Sequence, residues 1–506
     1  MNSLYTPTIK RTAVNRLRNK IPSVFRSSTS TQSKWKPIET LHHRCNEHHD
    51  SGIVIVGGGI AGLSMAWLLQ RRGFQNITIL ESQPHLGGKI QTYEHDGVPH
   101  ELGACYTQPA YHCIHELMRI FGINETVGVA GRMVHRDGEP FRPFGEDVIH
   151  KIRKNLGFMW RKAPSKAISL RVLWALRKYK HLHNQTFGQY EGQLPPQPSK
   201  NILASISIPF LSWLKQNNLD ILIPIFRLFQ SAQGYGYLEN IPAFYALMWN
   251  TPKVIDIAIE QMRGKGQGAK LLTKGMSQII QQFAQHLHAN IICNSRVVSI
   301  HRSDDIRIVA ENQHGDQQEY QCSKLFVSCS HRHAVQWLKQ PTALEKELFS
   351  DFRWSQMTTS LYRSQQSHHH PIDSWFDNLV PGRDHHVITQ RDSQAFVAPS
   401  TATSLISDRV VYQYGEQPTS QETIDSLFRR HYQNIGVRNE QILNRIYWSE
   451  YFPHWPKEGI EKANPWRLFN SQGTKNTWWI GSSACFESIN DVVLYNLHIC
   501  DRYFDS

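Results

Sequence analysis

Gly52-Ile-Val-Ile-Val56 runs directly into Gly57-Gly58-Gly59-Ile60-Ala61-Gly62 and then into Leu63-Ser-Met-Ala-Trp-Leu-Leu-Gln-Arg-Arg72. The first piece is a short continuous apolar run, which predicts a strand covered on both faces, and the last has helical periodicity. Ile77-Thr-Ile-Leu80 comes next as a second strand and ends at Glu81, 19 residues beyond Gly62. Gly57 permits a tight turn, Gly59 leaves room for a pyrophosphate beside the backbone, and Gly62 lets helix and strand pack closely. The start of the helix, Ile60 and Ala61 included, offers free N–H groups to the phosphates. Glu81 stands where a carboxylate accepts both hydroxyls of a ribose, and its charge disfavours a 2′-phosphate. A lone glycine triplet of this kind is weak. Strand, glycines, helix, second strand and terminal acid within one unit are strong.

The rest of the chain bounds what this unit serves. With 506 residues, 40% in the hydrophobic set and 11% aromatic, it has material for a large core, and a small disulfide-stapled or metal-nucleated fold is excluded. Eight cysteines are scattered without close pairing or CxxC spacing, which predicts reduced thiols and an intracellular setting, cytoplasmic or organellar. The most apolar long segment, Ile206 to Phe229, is interrupted by Lys215, Gln216, Asn217, Asn218 and Asp220, so a spanning helix is not expected.

The net charge of +13 is concentrated. Residues 1–50 carry nine Lys or Arg against three acids, and 151–180 carry ten against none, so the remainder is slightly acidic. The first segment is basic, Ser-rich and poor in acids, as a disordered tail or an organellar targeting segment would be. The second contains, from about Ser165 to Tyr179, the pattern of a basic amphipathic helix with tryptophan. Such a helix lies on an anionic membrane surface or packs its apolar stripe on its own domain. Nucleic acid is not expected, because no finger, RNA-binding sheet signature or aromatic-interleaved basic groove accompanies the charge. His368-His369-His370 and His385-His386 read as surface loops, and no metal site is expected, because consecutive histidines diverge.

The segment after Glu81 selects the cofactor. Ser82-Gln-Pro-His-Leu-Gly87-Gly88-Lys89, and then Glu101-Leu-Gly103-Ala104, resemble the flavin-containing amine oxidase superfamily. There a Glu-x5-Gly-Gly-Arg segment folds over FAD and a later Gly-Ala pair passes close to the flavin. Lys89 keeps the charge of the usual arginine without its planar fork. The resemblance continues in separated pieces: Lys274-Gly275-Met276 before a helix, Ile291 to Ile300 with Val297 or Val298 toward the adenine, Leu325 to Ser328, and Asn476 to Gly481. It resumes at Phe486 to Val493, where Ile489, Asn490 or Asp491 stands for the backbone amide at the flavin O2 edge. Ser482 replaces the usual acid after Gly481. The resemblance implies an α/β fold: a Rossmann-like domain binding FAD non-covalently from 51–110, 270–345 and 470–506. A mostly helical insertion at 111–269 and a mixed-sheet substrate domain at 346–469 complete it.

Within that superfamily the chain is similar to polyenoic fatty-acid double-bond isomerases, through Gly234-Tyr235-Gly236-Tyr237-Leu-Glu-Asn240-Ile-Pro242-Ala243-Phe244-Tyr245 and Tyr451-Phe452-Pro453-His454. The superfamily's amine oxidases carry a lysine on the strand placed here at Phe352 to Tyr362, which has none at its centre. The resemblance implies a redox-neutral reaction. Flavin N5 takes a hydride from the methylene between two double bonds of a polyunsaturated fatty acid and returns it to give a conjugated diene. Tyr235, Tyr237, Phe244 and His454 are the candidates for lining the reacting centre, and His100 for holding the carboxylate. Two alternatives stay open: an FAD-dependent oxidase, dehydrogenase or desaturase of a lipid, isoprenoid or amine, and a non-catalytic FAD protein that docks on membranes.

Overall fold

The computed structural model describes residues 36–44, 49–129, 131–156, 158–160, 162–188, 194–262, 268–303, 305–365, 370–393 and 406–504. The basic tail up to residue 35 and His368-His369 lie outside them. Part of the stretch expected as tail belongs to the body: Pro37–Leu41 is a helix with Leu41 fully buried, and the His49 ring stacks on Phe74 at 4.6 Å.

Ile53–Val56 is a strand buried at every residue. It pairs in parallel with Ile77–Leu80 on one side and Lys324–Val327 on the other. Asn290–Ile292 and Thr477–Trp479 extend the sheet outward, giving five parallel strands drawn from three distant parts of the chain. Covered faces explain why these strands read as apolar runs without alternation. The Ile60–Gln70 helix, buried at ten of its eleven residues, is clasped by two others. Asn496 on the Ile489–Tyr503 helix donates to the Ala61 carbonyl at 2.8 Å and to Ser64 Oγ at 2.9 Å, and Phe283 of the Ser277–His286 helix meets Trp67 edge-on at 6.1 Å.

A seven-stranded sheet runs in the order Arg438–His454, Arg353–Gln365, Ile406–Gly415, Val387–Asp392, Ile372–Trp375, Arg132–Arg136, Glu139–Pro143. It is antiparallel except where Ile372–Trp375 meets Arg132–Arg136. The segment expected as mostly helical therefore also supplies two strands to this sheet. The reason is local: Val134 is buried between half-exposed neighbours, a period of two, and Asp137-Gly138 turns the chain back with Gly138 at φ +70°. Asp373 ties the parallel pair together, accepting from His135 Nε2 at 2.6 Å, His370 Nδ1 at 2.9 Å and Gln390 Nε2 at 3.0 Å. The histidine runs are thus only partly surface features, since His385 is also buried and bonds the Gln417 carbonyl at 2.9 Å.

The helical layer has an aromatic core in which Tyr179 and Phe210 each sit 5.0 Å from Phe226. Among the described residues no helix is long and apolar enough to cross a membrane, and none of the seven cysteines there is in a disulfide.

Buried histidines weaken this fold in acid. His100, His183 and His331 are fully buried, and burial pulls each down to about 4. A histidine whose folded pKa lies below its unfolded value of about 6.5 contributes stability that is present above pH ~6.5 and lost as the pH falls toward the folded value. Urea unfolding midpoints should therefore drop between pH 6.5 and 4, and His331→Asn, which removes the ring bonded to the Ile480 carbonyl at 3.0 Å, should flatten that drop.

Candidate active site

The turn between the first strand and its helix is shaped by what cannot fit there. Gly57 has φ +108°, and a Cβ on it would lie 2.4 Å from Ser328 Oγ. A Cβ on Gly62 would lie 2.0 Å from the Gly57 carbonyl oxygen. The helix therefore begins tight against the strand. Its N-cap, Gly59, offers no side chain, so the first N–H groups of the helix are left for a ligand. Glu81 comes back to this turn: one carboxylate oxygen accepts from Gly58 N–H at 2.6 Å and the other from Gln83 N–H at 2.8 Å.

These residues form one wall of a cavity of about 910 Å³. Gly57, Gly59, Ile60, Ala61, Glu81, Ser82, Gly87, Gly88, Lys89, Gly103, Ala104, Gly481, Ser482 and Ile489 all line it. An uncapped helix start, side-chain-free backbone on the approach, and a carboxylate at the end of the second strand suit the phosphates and ribose of FAD. The volume is near the top of the range of about 300–1,000 Å³ usual for ligand sites. Lys89 is an ion-pair partner of Glu487 and lies 5.6 Å from the Tyr451 ring centre.

Other expected residues are placed differently. Gly62 lies beneath the helix start, outside the lining. Val298 is the unpaired residue of a bulge between the Val297–Ala310 and Ser299–Val309 pairs, and Val297 lines the cavity in its stead. Asn490 Oδ1 accepts from Cys113 N–H at 3.2 Å, away from the cavity. Of the aromatic candidates, Tyr235 lines the cavity, 5.0 Å from Phe486 and parallel to Tyr451 at 6.3 Å. Tyr237 is instead a core residue edge-on to Tyr414 at 5.1 Å, because Gly236 between the two rings, at φ +97°, turns the chain. Phe244 is packed between Phe187 and Trp466 in the helical layer. His454 donates to the Phe452 carbonyl at 2.9 Å, and burial brings it to about 4.

His100 is no carboxylate anchor. It is fully buried on the Val98–Glu101 strand, neither ring nitrogen has a hydrogen-bond partner among the described residues, and with a pKa brought to about 4 by burial it is uncharged at neutral pH. Besides Lys89 and Arg296 on the cofactor side, two cations of the seven-stranded sheet, Arg132 and Arg391, line the cavity. Arg391, only 5% exposed, sends Nη2 to the Glu101 carbonyl at 3.4 Å while its Nε has no partner among the described residues. Arg132 bonds the Ser374 and Thr389 hydroxyls, and burial pulls its pKa below the usual arginine value. Neither makes an ion pair among the described residues, although both line the cavity with Tyr106 and Tyr412. Alternation marks Arg132, which shares a face with buried Val134. Arg391 lies in a strand buried throughout, and nothing local announces it.

The remaining wall is apolar. Met357 and Thr359 of the long Arg353–Gln365 strand line it, where amine oxidation would call for lysine, and Trp448 stands beside them. Thr359 Oγ1 and Trp448 Nε1 both donate to the Leu102 carbonyl, at 2.6 and 3.1 Å, pinning the Gly103-Ala104 segment to the sheet.

Sheet, glycine turn and two-walled cavity together define a dinucleotide-binding flavoprotein of the interleaved kind. The sequence pattern described as "Flavin containing amine oxidoreductase" matches residues 60–362, and the chain belongs to that family. It is a flavoenzyme, and its cofactor is FAD. It is 23% identical over 485 residues to a polyenoic fatty acid isomerase of Ptilota filicina, covering 88% of this chain and 93% of that one. Among solved structures it is similar to a fatty acid isomerase of P. acnes that produces CLA, with a TM-score of 0.74, 21% identity, and 90% and 99% of the two chains covered. Putrescine oxidase has the same fold at a TM-score of 0.64 and 13% identity, with 90% and 99% covered.

Glu81→Ala should weaken FAD retention by roughly 10- to 100-fold, the worth of one or two charge-assisted hydrogen bonds. Titrating the apoprotein with FAD and following quenching of flavin fluorescence measures this; an unchanged affinity would place the ribose elsewhere.

Proposed function

We propose that this flavoenzyme moves double bonds of a polyunsaturated fatty acid into conjugation. The observation that carries the reading is the pair Arg132 and Arg391: two guanidinium groups that form no close ion pair among the described residues, Glu101 acting on Arg391 only at longer range, in an otherwise largely apolar cavity continuous with the FAD cradle. An enclosed charge without a counterion is costly, so such a pair favours an anionic ligand. An apolar wall behind it favours a long hydrocarbon chain. A fatty acid has both parts. The relatives in Ptilota filicina and P. acnes carry fatty acid isomerase names, which agrees with this substrate class.

FAD, held by Gly57–Ala61, Glu81, Gly87-Gly88 and the start of the Ile489–Tyr503 helix, supplies a hydride acceptor and donor. Arg132 and Arg391 hold the carboxylate and so set which methylene along the chain is presented. Leu102, Met357 and Ile372 exclude water from the reacting segment. Hydride loss leaves positive charge on the hydrocarbon, and the ring faces of Tyr235, Tyr451 and Trp448 supply negative potential to it. Burial raises the hydroxyl pKa of Tyr235 and Tyr451 well above the ordinary value, so both rings stay neutral and withdraw no proton. A hydride shift needs no acid–base pair from the chain.

The test is anaerobic incubation of the holoenzyme with linoleic acid, following conjugated-diene absorbance together with flavin colour. Diene formation with oxidised flavin at the end is the expected result. Lasting bleaching that oxygen reverses would make the enzyme an oxidase or dehydrogenase. Arg391→Met should raise KM for the free acid by roughly 10- to 100-fold while leaving the methyl ester little changed, since only the acid offers a charge to the guanidinium. Equal effects on acid and ester would remove the anchor.

A further inference from the structure

The Ser165–Phe187 helix has two faces with different tasks. Ile168, Val172, Leu176, Tyr179, His183 and Phe187 are buried, at steps of four and three along one stripe. Tyr179 donates to the Asn250 carbonyl at 2.8 Å and His183 Nε2 bonds the Leu247 carbonyl at 2.8 Å, fixing this stripe on the Ala243–Trp249 helix. Packing is satisfied by this face alone.

The opposite face is where a water-soluble helix places mainly polar residues. Here Leu170 is 59% exposed and Trp174 67% exposed. They are four residues apart and therefore stacked on one line. At about 100° per residue that line is turned roughly half a circle from the buried stripe. Phe158, in the turn Phe158–Trp160 just before the helix, is 85% exposed. Exposed cations flank the line: Lys166 and Arg177 on one side, Arg171 and Lys178 on the other. Arg171 stacks 4.5 Å over the Trp160 ring and Arg177 5.7 Å over Trp174, which keeps both guanidinium groups at the rim of the apolar strip. Residues 151–180 contain no acidic side chain.

We infer that this outer face docks the enzyme on an anionic phospholipid bilayer, with Leu170, Trp174 and Phe158 entering the headgroup boundary and the flanking Lys and Arg meeting lipid phosphates. Exposed apolar and indole side chains between cations match an interface that is apolar below and anionic above. A nucleic acid would use the cations and leave Leu170 and Phe158 in water. The inference is independent of which reaction the cavity performs.

The test is co-sedimentation of the FAD-loaded enzyme with vesicles of phosphatidylcholine and of a phosphatidylcholine–phosphatidylglycerol mixture. Binding to the mixture and not to phosphatidylcholine alone, weakening as salt rises, is expected. Replacing Lys166, Arg171 and Arg177 together by Gln should lower the partition coefficient about 100-fold, each basic side chain contributing about fivefold near an anionic surface. Leu170→Ser with Trp174→Ser should lower it at least about tenfold. These side chains are exposed, so flavin absorbance and far-UV circular dichroism should match wild type. Failure of the wild type to sediment, or variants that bind as well as it does, would overturn the proposal. So would tighter binding to a DNA duplex that Leu170→Ser with Trp174→Ser leaves intact.

Discussion

A side chain on Gly62 would stand 2.0 Å from the carbonyl oxygen of Gly57, and the site depends on that closeness. The helix can start only where the strand ends, so its unpaired N–H groups lie at the carboxyl edge of the parallel sheet, where Glu81 also arrives. A bulkier residue would move the helix outward and separate the phosphate site from the ribose acceptor. The two clasping helices, bonded through Asn496 to Ala61 and packed through Phe283 on Trp67, hold this placement from the far side.

The opposite wall obeys a different constraint. The long strands of the seven-stranded sheet present alternate residues to the cavity, so apolar and polar groups are set at fixed intervals along one surface. Met357 and Thr359 come from one strand, Arg391 from another and Arg132 from a hairpin more than 200 residues earlier in the chain. Thr359 and Trp448 bond the Leu102 carbonyl, coupling this wall to the Gly103-Ala104 segment of the other. The cofactor cradle thus comes from backbone geometry, while the proposed selectivity comes from side chains on a rigid sheet.

How much of this was legible depended on whether a signal was local. The strand–turn–helix at Ile53–Gln70 is written in contiguous glycines and apolar residues because its geometry is a matter of backbone sterics, and its lining residues could be named from the sequence. Tyr235 was legible as an aromatic near the cavity. Its neighbours in the same motif, Tyr237 and Phe244, were not separable from it, because which ring faces a cavity depends on what packs against the other side. Val298 illustrates the same limit at single-residue scale: a bulge at that position shifts the lining to Val297.

His100 and Arg391 mark the boundary most clearly. Both are polar residues in buried strands, and the sequence presents them alike. The fold seals His100 away from water and removes its charge, whereas it opens Arg391 onto the cavity. From the sequence alone came the dinucleotide-binding unit, the family it belongs to and the basic amphipathic helix, since each rests on residues adjacent or periodically spaced along the chain. Only the tertiary structure decided which charges face the cavity and which apolar residues of that helix remain outside. Burial is set by the summed contacts of segments far apart in the chain, and no local pattern contains it.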